Sequence, residues 1–147
     1  NINLPIPQAL AGAAEFILNQ DILRQIQSEK PDLVKMRSLA EEAERLSVEL
    51  DTKTLGFEGT LKINDLMDRF QAAPEDPDLL QFIENTLAIL KAITGEVELD
   101  TAQNIFFMMA KDIYPLFKTK ADSGQDDAAK WIEHFGNLAQ HLGLAVP

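Results

Sequence analysis

Apolar positions recur every three or four residues through most of the chain, the spacing of amphipathic helices, and Pro and Gly mark the breaks between them. Pro5 and Pro7 lead into a first segment over about residues 8 to 28, with Leu10, Ala14, Ile17, Ile22 and Ile26 on one face. Pro31 suits the first turn of a second helix, and Asp32 near its start complements the macrodipole. Leu33, Met36, Ala40, Ala43 and Leu46 form its stripe, opposite Glu41, Glu42, Glu44 and Arg45. A third helix is predicted over about 52 to 72. Leu55, Lys62, Leu66 and Phe70 lie close to one line, with Ile63 and Met67 beside it, while Gly56 and Gly59 weaken its start by about 1 kcal/mol each relative to Ala.

The run Ala73-Pro74-Glu75-Asp76-Pro77 is the clearest break in the chain. Asp76 or Pro77 starts a fourth helix carrying Leu80, Ile83, Leu87, Leu90 and Ile93, which Gly95 stops. A fifth starts at Asp100, with Gln103 at the capping-box spacing, and Pro115 kinks or ends it. Ser123, with Asp126 at that same spacing, caps a sixth helix that Gly143 closes. No β-branched alternating run of strand length occurs. The expected fold is all-α: about six helices packed as an irregular bundle, over a single domain from 1 to 147. One pentapeptide, Val48-Glu49-Leu50-Asp51-Thr52, recurs as Val97-Glu98-Leu99-Asp100-Thr101. It is either the trace of a duplicated hairpin or one local device used twice, an inward Val-x-Leu pair before an Asp N-cap.

Composition narrows the function more than the fold. Lys and Arg number 13 against 24 Asp and Glu, a formal charge of −11, so the chain repels phosphate backbones and nucleic acid is not an expected partner. Cys is absent, which removes disulfides, thiolate zinc sites and cysteine nucleophiles. No apolar run reaches the roughly 18 residues of a membrane span, and no secretory signal is visible, so a cytoplasmic location and no membrane partner are expected. The chain opens on Asn1-Ile2-Asn3 rather than Met and closes at Val146-Pro147, which reads as one part of a longer polypeptide.

Candidate chemistry is sparse. His134 and His141 stand seven residues apart on the last helix, roughly 10 Å along its axis, too far to share a metal. Both read as surface histidines near a helix C-terminus. The carboxylate clusters Glu41/Glu42/Glu44, Glu75/Asp76/Asp78 and Asp122/Asp126/Asp127 follow no calcium-loop pattern and fit solvated faces and helix starts. Phosphate-binding glycine loops and the Gly-x-Ser-x-Gly elbow are missing. No catalytic residue, metal or cofactor is therefore assigned. Polar residues set in apolar stretches are more informative. Glu15 and Asn19 share a helix edge, and Asn104 enters the apolar run Ile105 to Met109. Tyr114 and Trp131, the only Tyr and Trp, each join a flat apolar ring to a polar handle. These five form the candidate inter-domain or glycan-facing surface; for Tyr114 and Trp131 the other reading is core packing with a satisfied hydrogen bond. Because the run Ile105 to Met109 is apolar all round, Phe107 and Met108 also need cover, from this domain or from a neighbour.

The stretches Ala13-Ala14-Glu15-Phe16-Ile17-Leu18-Asn19, Val48-Glu49-Leu50-Asp51, Leu55-Gly56-Phe57, Ala102-Gln103-Asn104-Ile105-Phe106-Phe107 and Trp131-Ile132-Glu133-His134-Phe135 carry a resemblance. In them the chain resembles the C-terminal helical domain of unknown function of bacterial α-amylase/α-mannosidase-like proteins of the glycoside hydrolase family 57 type. In that family catalysis belongs to an N-terminal barrel-like domain. The resemblance thus implies a non-catalytic accessory domain that packs on the catalytic domain of the same polypeptide and helps shape its glycan groove, with an α-glucan or other glycan as the wider partner. The alternative is a free-standing acidic adaptor that binds a partner protein through a helix groove.

Overall fold

A computed structural model describes residues 8–146. Pro5 and Pro7, expected to lead into the first helix, lie outside the described residues. Seven helices follow in order: α1 (Gln8–Gln27), α2 (Leu33–Arg45), α3 (Thr52–Ala72), α4 (Pro77–Ile93), α5 (Asp100–Asp112), α6 (Tyr114–Asp122) and α7 (Asp126–His141). No strand occurs among the described residues, so the all-α expectation holds. The expected fifth helix becomes two. Ile113, at φ −108° and ψ −40°, is the last cap of one and the first cap of the next, and Pro115 sits in the first turn of α6, where its missing N–H costs nothing. No helix among the described residues is long and apolar enough to cross a membrane.

The chain gathers into two compact units. One comprises the residues up to Gly59 with Ile89–Val97, the other Thr60–Ala88 with the residues from Glu98 on, so α3 and α4 contribute to both. In the first unit α1 packs on α2. Its buried apolar side chains include Leu18, Ile22 and Ile26 of α1, Met36 and Ala43 of α2, and Leu55 of α3. Asp32 is the N-cap of α2, accepting from the Lys35 N–H at 3.1 Å, and its own N–H donates to the Gln25 side chain at 2.9 Å. Pro31 therefore precedes the helix instead of opening it. At the far end of α2 the Val48 N–H reaches the Ala43 carbonyl, with Ser47 between them at φ 54°. This is a Schellman closure with serine in the left-handed position that glycine usually takes.

The second unit holds the aromatic core. Ile63, Leu66, Met67 and Phe70 of α3 are fully buried, as are Leu80, Ile83 and Leu87 of α4. Lys62, placed near this line by the sequence, is only partly covered. Asp76 caps α4, accepting from the Asp78 and Leu79 N–H groups at 3.0 and 3.2 Å, as expected from the sequence. Helices α5, α6 and α7 pack in succession. Gly143 closes α7 at φ 72°, as expected, with the Leu144 N–H on the Ala139 carbonyl at 2.8 Å.

Two expected caps do not form. Helix α5 has Leu99 as its N-cap, without a side-chain bond, and the Gln103 amide instead donates to the Leu142 carbonyl at 2.7 Å. Helix α7 likewise starts after Gln125 without a side-chain cap, while Ser123 ends α6 and its hydroxyl donates to the Thr119 carbonyl. The repeated pentapeptide accordingly does two different jobs. Asp51 caps α3 through the Thr54 N–H at 3.2 Å, whereas Asp100 is already inside its helix.

Gly136 lies within α7, and a Cβ there would meet nothing within 4 Å. Gly136→Ala is therefore expected to stabilise the chain by about 1 kcal/mol through helix propensity, read as a raised urea midpoint. An unchanged or lowered midpoint would show that the position is constrained by something other than its helix.

Candidate functional site

Helix α5 presents two adjacent large apolar side chains on its outer face. Ala102, Ile105, Phe106, Met109 and Ala110 are buried, a spacing of three and one that turns one face to the core. The opposite stripe is Asn104, Phe107, Met108 and Lys111, at helical spacing of three, four and seven, and all four are exposed. Phe107 is 69% exposed and Met108 51%. The all-round apolar run thus satisfies its core face first and leaves two large apolar side chains in water. Asn104 stands one turn before them and Lys111 one turn after, giving the stripe polar ends.

The five residues singled out in the sequence divide between the two units. In the first, Glu15 is exposed on α1 and Asn19 lies one turn further along. The Asn19 amide is engaged at both ends. Its Nδ2 donates to the Glu15 and Glu49 carbonyls at 2.8 and 3.1 Å, and its Oδ1 accepts the Asp51 N–H at 2.7 Å. Asn19 therefore ties α1 to the segment that enters α3. Next to it the Asp51 carboxyl is held below the usual carboxylate range, chiefly by hydrogen bonding to the Thr54 side chain and then to the Thr54 backbone. On α2 the Arg45 guanidinium, hydrogen-bonded to Glu42, lowers the Glu42 carboxyl in the same way. Both carboxyls sit in ordinary surface positions where local bonds account for the shift.

In the second unit Asn104 belongs to the exposed stripe, while Tyr114 and Trp131 do not. Trp131 is fully buried. Its ring stacks on Phe117 at 4.2 Å and on Phe135 at 4.6 Å, and its indole N–H donates to the Pro74 carbonyl at 2.6 Å. With both faces and the polar handle occupied, Trp131 is a core residue, which corrects its placement on a glycan-facing surface. Tyr114 is half-buried, its ring 5.7 Å from Phe135 and 6.5 Å from Trp131. Phe106 stacks on Phe135 at 4.1 Å, so α5, α6 and α7 share one aromatic cluster. The stripe of Phe107 and Met108 is the outer side of the helix whose inner side holds that cluster.

His134 is a second correction. It is not a surface histidine: its side chain is 12% exposed, and Nδ1 lies 2.9 Å from the Glu84 carboxylate, itself 15% exposed. The pair joins α7 to α4 about one turn from the Trp131 anchor. Lys130 reaches Asp78 at 3.2 Å on the exposed side of the same two helices, where an ion pair contributes little. Sequence alone gave no sign of the His134 pairing, because Glu84 is fifty residues away. Among the described residues no group of three or more His, Asp or Glu is placed to hold a metal ion.

The geometry offers an apolar contact stripe and structural polar pairs. A scan of protein-family models and searches of curated proteins and of solved structures find no match to this chain.

Proposed function

We propose that the chain is a non-catalytic helical accessory domain of an α-amylase/α-mannosidase-like enzyme of the glycoside hydrolase family 57 type, and that it packs on that enzyme's catalytic domain. The observation that carries the reading is the exposure of Phe107 and Met108 on α5. Two large apolar side chains side by side on one helix, framed by Asn104 and Lys111, have the composition of an interface centre with polar ends. The resemblance of the Ala102 to Phe107 stretch to that family supplies the partner: the catalytic domain of the same polypeptide. In this reading Asn104 lies at the margin of the contact, and Glu15 stays in the candidate set as an exposed carboxylate of the first unit. The domain contributes surface and rigidity to a glycan groove whose chemistry is carried elsewhere.

The test is an activity assay of this chain on α-glucans. No turnover above buffer is expected. Turnover abolished by a single Asp→Asn or Glu→Gln substitution would overturn the reading, because it would place the catalytic carboxylate within these residues.

A further inference from the structure

We draw no further inference here: the strongest candidate, the exposed apolar surface of the first half of α1 formed by Leu10, Phe16 and Ile17, carries nothing because nothing in the structure shows what covers it.

Discussion

Replacing Trp131 by alanine is expected to destabilise the protein by about 4 kcal/mol, the range for removing a large buried aromatic side chain. The indole is fully buried between Phe117 and Phe135, so its loss leaves a cavity against two rings. It also leaves the Pro74 carbonyl without its donor. For a domain whose total stability is about 5–15 kcal/mol, such a loss is a large fraction. Trp131→Phe separates the two contributions. It keeps an aromatic ring in the stack and removes only the indole N–H and part of the volume, so a smaller cost of about 1–3 kcal/mol is expected. Since Trp131 is the only tryptophan, unfolding of the variants must be followed by far-ultraviolet circular dichroism. Equal midpoints for wild type and Trp131→Ala would mean that the residue is not in the core.

Gly56→Ala is expected to destabilise by about 2 kcal/mol, even though alanine is the better helix former by about 1 kcal/mol. An added Cβ would stand 2.8 Å from the Thr94 hydroxyl oxygen, 2.9 Å from the Glu96 Cβ and 3.0 Å from the Glu96 carbonyl oxygen. The Thr94 hydroxyl cannot step aside freely. It donates to the Thr52 carbonyl at 2.7 Å and accepts the Glu96 N–H at 3.2 Å, so it ties the start of α3 to the end of α4. Either that hydroxyl leaves its partners or the backbone at Glu96 shifts. The same substitution at Gly136 has the opposite expected sign, because no atom opposes the methyl group there. Opposite shifts of the urea midpoint for the two variants would separate close packing from propensity. A rise at Gly56 would show that α3 and the Thr94 turn are further apart than described.

The contrast between these glycines shows where local sequence stops being informative. Gly56 reads from the sequence as a weak point of its helix, and only tertiary packing gives it its reason. The stripes were legible in part, because burial follows a 3.6-residue period: of Leu80, Ile83, Leu87, Leu90 and Ile93 the first four are buried, whereas Leu10 and Ile17, assigned to the inner face of α1, are exposed. The Asp76 cap was legible for a related reason, since the bonds it makes are to residues two and three positions on. Gln103 had the equivalent spacing from Asp100, but a carbonyl thirty-nine residues away competes for its amide. Trp131 depended on a distant partner too: its ring and polar handle fitted a surface or a satisfied core position, and the Pro74 carbonyl, fifty-seven residues away, places it in the core. Phe107 and Met108 were the converse case. A run apolar on every side cannot bury all of itself against one core, so the excess had to emerge somewhere, and it emerges opposite Phe106 and Met109.

That exposed pair is where the proposed role is most open to measurement. The direct experiment titrates this chain, by isothermal calorimetry, into the separately produced catalytic domain that the proposal places on the same polypeptide. It is then repeated with the double variant Phe107→Asp, Met108→Asp. The account predicts saturable binding by the unaltered chain and a loss of at least about tenfold in affinity, some 1.4 kcal/mol, for the variant. The circular dichroism spectrum should keep its helical form and the urea midpoint should fall only slightly, through the lower helix propensity of Asp, because both positions are exposed. Binding equally strong in the variant, or no binding by the unaltered chain, would contradict the claim that α5 docks on the catalytic domain.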